Sequence, residues 1–147
     1  MGLIKRLDQD MKLALKNKDK IRLSTIRMLK SAIKKEEIDK KHSLNDDEVI
    51  AVIMREVKQR KDSIAQYEKA GRDDLADKEK AEVEVLSAYL PEPLSDEELK
   101  DLVKQVIQEV GATSKADMGK VMGAVIPRVK GRADGRKVNR IVQEMLG

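Results

Sequence analysis

The stretch Asp117-Met-Gly-Lys-Val-Met-Gly-Ala-Val-Ile-Pro-Arg-Val-Lys-Gly-Arg-Ala-Asp-Gly-Arg-Lys137 carries a helical apolar repeat interrupted by glycines and cations that helix formation alone does not call for. At 100° per residue, a helix over Met118–Val129 gathers Met118, Val121, Met122, Val125, Ile126 and Val129 into one packing stripe. Its opposite side carries Gly119, Gly123, Ala124 and Pro127 beside Lys120 and Lys130. A glycine inside a helix costs roughly 1 kcal/mol relative to alanine, so a plain solvent face has no use for two of them. Small residues between positive charges instead predict the close approach of a second backbone, protein or nucleic acid. Gly131 predicts the end of this helix, Asp134 the cap of the next, and Val138, Ile141, Val142, Met145 and Leu146 the buried stripe of that last helix.

Immediately upstream, Ser95-Asp-Glu-Glu98 reads as a capping box that opens a helix with Leu99, Leu102, Val103, Val106, Ile107 and Val110 on one face, ending at Gly111. The tail is therefore expected to be a three-helix unit over residues 95–147. Before it, Pro91-Glu-Pro-Leu94 places two prolines in three residues, which predicts a short, stiff linker of extended character.

Residues 1–90 read as about four further helices. Ile4, Leu7, Met11, Ala14 and Leu15 mark the first, and Asp19 caps a second that packs through Ile26, Leu29, Ala32 and Ile33. The loop at His42 leads to an acid-rich helix start capped by Ser43 or Asn45. The long helix that follows is expected to bury Ile50, Ile53, Val57, Ile64 and Tyr67 and to stop at Gly71 in the left-handed conformation. Between Val57 and Ile64 the run Lys58-Gln-Arg-Lys-Asp-Ser63 has no apolar residue. It reads either as a solvated arm or, with Lys58, Arg60, Lys61 and Arg72, as a second anion-binding strip. A fourth helix over roughly 74–90 is expected to bury Leu75, Val83, Leu86 and Leu90. No segment alternates with period two, so the fold class is all-α: an N-terminal helical bundle plus a small C-terminal three-helix domain.

Composition narrows the chemistry. With no cysteine and one histidine in 147 residues, a disulfide framework, a cysteine nucleophile and a Cys/His zinc site are excluded by inventory. His42 lacks a partnered nucleophile, and pairs such as Glu82 with Glu84 read as solvated faces, so no catalytic, metal or cofactor-binding residue is expected. No apolar run approaches the roughly 20 residues that span a bilayer, and the N-terminus lacks the apolar core of a signal peptide; the expectation is a cytoplasmic protein with no membrane partner. Charge is uneven: residues 1–90 hold 21 Lys and Arg against 18 Asp and Glu, residues 91–110 hold 2 against 6, and residues 111–147 hold 8 against 3.

The basic end points to a polyanion. Lys120, Lys130, Arg132, Arg136, Lys137 and Arg140 are the candidate RNA-binding cations, with Gly119, Gly123, Gly131 and Gly135 as close-approach glycines. These cations are expected to converge on Gly131-Arg-Ala-Asp-Gly135, where N–H groups at the start of the last helix also favour phosphate. With no aromatic residue in 91–147 to stack on single-stranded bases, the expected mode is shape and phosphate recognition of a folded RNA.

The motifs Asp117-Met-Gly-Lys-Val-Met-Gly123 and Lys130-Gly-Arg-Ala-Asp-Gly135, the Leu90-Pro91 boundary, Lys58-Gln-Arg60 and Ala70-Gly-Arg72 closely resemble the YqeY-like proteins over essentially the whole chain. That family is similar in turn to the helical and tail portions of the B subunit of the tRNA-dependent glutamyl/aspartyl-tRNA amidotransferase, whose tail contacts the tRNA elbow. The resemblance implies an all-α protein whose tail binds tRNA through Lys120, Lys130, Arg132, Arg136 and Arg140. This chain has no counterpart of that subunit's large catalytic domain. The readings set against one another are a noncatalytic tRNA-binding module, a protein-interaction adaptor that receives a partner helix on Gly119 and Gly123, and an auxiliary subunit of a glutamine-dependent amidotransferase.

Overall fold

The computed structural model describes residues 2–147, and among them it contains seven α-helices and no strand. The chain divides into two compact units, one ending at Leu90 and the other spanning Pro91–Gly147.

In the first unit α1 (Leu3–Lys16) and α2 (Lys20–Lys40) form a hairpin, and α3 (Asp46–Lys69) packs along α4 (Asp73–Ser87). Leu7, Ile26, Leu29, Val49, Val52, Ile53 and Leu86 are at most 1% exposed and form its core. Asp19 caps α2 by accepting from the Arg22 N–H, and Asn45, not Ser43, caps α3 in a capping box with Glu48. The acids Asp46, Asp47 and Glu48 complement the positive end of the α3 dipole. Gly71 adopts φ +70°, the left-handed stop expected of it.

The buried stripe of α3 shares Ile53 and Val57 with the expected one but turns toward Val49 and Val52. Val49, Val52, Ile53 and Val57 are buried, whereas Ile50, Ile64 and Tyr67 are only partly so. The stripe continues through the charged run by way of Arg60, whose side chain is 8% exposed beside Glu56, Glu79 and Glu82. Neither a solvated arm nor an anion-binding strip describes Arg60: its guanidinium already faces three carboxylates inside the α3–α4 pair. Lys58 and Lys61 remain exposed, and Arg72 pairs with Asp74 at 3.2 Å. The fourth helix ends at Ser87, before the expected Leu90, and buries Ala76, Glu82, Val85 and Leu86. Beyond it Tyr89 is buried; its hydroxyl donates to Asp10 at 2.5 Å, and Arg6 lies 4.7 Å over its ring.

The second unit consists of α5 (Asp96–Val110), α6 (Met118–Val129) and α7 (Gly135–Leu146), with one 3₁₀ turn at Lys115–Asp117. Leu99, Val103, Val106, Val121, Val125, Val129, Val138, Ile141 and Val142 make its core. Ser95 and Glu98 form the capping box that opens α5, and Gly111 closes the helix at φ +68°. Two expected core residues stay outside: Ile126 is 40% and Met145 39% exposed. Ile126 stands about 80° from Met118 and about 140° from Val121 by helix geometry, at the edge of a stripe centred on Val121 and Val125.

Candidate nucleic-acid interface

The polar side of α7 follows from its 100° steps. Arg136 and Arg140 are about 40° apart on the helix wheel, with Asn139 and Gln143 beside them, and all four are exposed opposite Val138, Ile141 and Val142. Asp134 caps the helix by accepting from the Arg136 N–H at 2.9 Å. The two arginines would repel each other by a few tenths of a kcal/mol unless an anion lies between them.

Lys130 is the exposed C-terminal cap of α6, and the chain reverses at Gly131, which is buried with φ +77°. A side chain at that angle would press its Cβ on the following carbonyl, so the tight return into α7 calls for glycine here. Lys120 sits ten residues before Lys130, about 15 Å away along the α6 axis, and does not join the cations at the turn.

Two of the six candidate cations are held within the unit. Lys137 forms an ion pair with Asp96, whose carboxyl is lowered below its usual range first by that hydrogen bond and then by the lysine's charge. Arg132 is half-buried and its Nε donates to the Glu92 carbonyl at 2.8 Å. Lys120, Lys130, Arg136 and Arg140 form no ion pair among the described residues. Arg128 is tied to Glu109 at 2.7 Å, which draws the Glu109 carboxyl down.

These partners change the electrostatic account. The acidic residues 91–110 and the basic residues 111–147 belong to one unit, which holds 10 Lys and Arg against 9 Asp and Glu, a net of +1. Any attraction for a polyanion comes from the distribution of charge and not from the net. Dividing the charge at the two prolines, rather than at Gly111, makes this visible in the sequence.

The glycine face of α6 is open. A Cβ added at Gly119, Gly123 or Gly135 would meet nothing within 4 Å, so among the described residues none makes the close approach that Gly119 and Gly123 predict. The exposed Ile126 and Pro127 border the two α6 glycines. His42, the one histidine, lies exposed with Nδ1 2.9 Å from the Ser43 carbonyl and Nε2 3.8 Å from Glu48. Among the described residues no group of three or more His, Asp or Glu side chains is arranged to hold a metal ion, and no helix is long and apolar enough to cross a membrane.

This all-helical chain matches, over residues 4–146, the family described as Yqey-like protein. It belongs to that family. It is similar to Altered inheritance of mitochondria protein 41, mitochondrial, from Pyrenophora tritici-repentis, at 32% identity over 99% of this chain and 81% of the relative. Proteins of the same name from Kluyveromyces lactis and Candida glabrata are 40% and 36% identical over 73% and 74% of this chain. The matched stretch spans only 60% and 62% of those two relatives. All three are named as mitochondrial proteins, which overturns the expectation of a cytoplasmic location. That expectation rested on the lack of a membrane-spanning apolar run and of a signal peptide's apolar core, neither of which assigns a compartment.

Proposed function

We propose that the chain is a noncatalytic RNA-binding protein whose C-terminal unit, acting as the tail domain of an N-terminal helical bundle, engages folded RNA, tRNA in particular. The observation that carries this reading is the set of exposed cations without ion-pair partners, Lys130, Arg136 and Arg140 around the α6–α7 turn and Lys120 farther along α6. On α5, Glu109 and Asp96 are already committed to Arg128 and Lys137. A phosphate between Arg136 and Arg140 would relieve their repulsion and add charge-assisted hydrogen bonds. The resemblance of the family to the tail of the amidotransferase B subunit favours tRNA among folded RNAs.

Filter binding of tRNA tests the reading. Affinity should fall steeply between about 50 and about 200 mM salt, because each neutralised phosphate releases counterions. Replacing Lys120, Lys130, Arg136 and Arg140 together by alanine should weaken binding and flatten the salt slope by about one for each phosphate left without its cation. Absent or salt-insensitive binding would reject the proposal.

A second reading, a protein-interaction adaptor, is favoured by the unobstructed Gly119/Gly123 face with Ile126 exposed at its edge. A partner that is retained after nuclease treatment and lost on Gly123→Leu would support it over RNA.

A further inference from the structure

The segment between the two units is shorter than its sequence suggests. Leu90 is the last residue to pack on the first core, and Leu94 is the first to pack on the second. Three residues, Pro91-Glu-Pro93, lie between them. Arg132 grips this segment twice: its carbonyl accepts from the Leu94 N–H at 2.9 Å, and its Nε donates to the Glu92 carbonyl at 2.8 Å.

The prolines make this grip specific. Pro93 has no N–H, so Leu94 offers the first backbone donor after Glu92. The same proline restricts Glu92 to extended backbone, limiting the directions its carbonyl can take. Pro91 restricts Leu90 in the same way. On the other side, the buried, left-handed Gly131 reverses the chain immediately before Arg132, whose own N–H donates to the Val129 carbonyl at 2.8 Å. Both halves of the contact are therefore fixed by backbone before the guanidinium closes it.

We propose that Arg132 is a latch that fastens the interdomain segment to the α6–α7 turn and so sets how freely the two units move relative to each other. This role is independent of RNA binding: it uses Nε and the carbonyl of Arg132, and it holds in the free protein. It separates Arg132 from Arg136 and Arg140, with which its charge alone would group it.

Amide hydrogen exchange of the free full-length protein, together with paired spin labels, tests the latch. The chain has no cysteine, so Lys61→Cys and Glu144→Cys, both at exposed positions, give one label in each unit without background. Arg132→Ala should accelerate exchange of the Leu94 amide about tenfold, leave Val103, Val106 and Val125 unchanged, and broaden the distance distribution between the labels. Pro93→Ala, which leaves every cation in place, should have the same two effects. Wild-type exchange at Leu94 in Arg132→Ala, equal acceleration throughout the unit, or an unchanged distribution width with Leu94 freed would each overturn the proposal. Failure of tRNA binding leaves these readouts untouched, so the latch and the RNA reading are judged separately.

Discussion

Arg60 Nε lies 3.5 Å from Glu82 Oε1 in the interior of the α3–α4 pair, and each side chain is less than a tenth exposed. Glu79 and Glu56 stand at 3.8 Å, while Arg60 Nη1 donates to the Glu56 carbonyl at 3.1 Å. Taking such groups out of water is expensive, and their attraction offsets that loss only while every partner is present. Arg60→Ala should therefore destabilise the N-terminal unit by about 3–5 kcal/mol in urea unfolding, whereas Arg60→Met with Glu82→Leu, which also removes the most buried carboxylate, should cost less. A mild effect of Arg60→Ala would mean that water reaches the carboxylates.

The glycines of the second unit should respond with opposite signs. At Gly119 and Gly123 an added methyl meets open space, so alanine should stabilise α6 by up to about 1 kcal/mol at each site. At Gly131, buried at φ +77°, alanine should destabilise by about 1–2 kcal/mol. Thermal unfolding of the three single variants measures the contrast. If Gly119→Ala and Gly123→Ala also weaken tRNA or partner binding while stabilising the fold, the bare face has a role in recognition.

Tyr89 supplies an alkaline signature. Burial, and then the hydrogen bond to Asp10, raise its phenol above the ordinary value of about 10. With the folded value above the unfolded one, this contribution to stability is complete below about pH 10 and is lost as pH rises beyond it. Tyr89→Phe should lower stability at neutral pH by about 1 kcal/mol and remove this part of the alkaline fall. Urea midpoints of the two proteins, compared between about pH 8 and about pH 11, test it.

The acid side belongs to the α5 cap and its neighbours. The Glu98 carboxyl is lowered chiefly by the backbone N–H of Ser95, Asp96 by Lys137 and Glu109 by Arg128. Stability from these groups is present above their unfolded values near 4 and is lost as pH falls through the lower folded ones. Ser95→Ala should cost about 1 kcal/mol and leave the acid response shallower, as measured by helix content against urea at about pH 7 and about pH 3.

Much of the fold was legible because caps and stops are local. Asp19, Asn45, Ser95 and Asp134 each satisfy a backbone N–H within three residues, and Gly71, Gly111 and Gly131 each take the positive φ that their positions after a helix suggested. Where sequence and structure part, the deciding interaction is distant along the chain. Arg60 looks solvated until α4 brings Glu79 and Glu82 to it, and Ile126 looks buried until the edge of its helical stripe is seen to face outward. The candidate cations divide for the same reason. Lys137 and Arg136 are neighbours in the chain, but only Lys137 meets Asp96, forty-one residues away.

Both tyrosines, Tyr67 on α3 and Tyr89 beyond α4, lie in the first unit, and the chain contains no tryptophan or phenylalanine. The C-terminal unit is therefore dark in intrinsic ultraviolet emission. Tyrosine fluorescence during unfolding reports the first unit alone, through Tyr67 and Tyr89, and a single tryptophan introduced at Asn139, among the exposed residues of α7, would give the other unit a signal of its own.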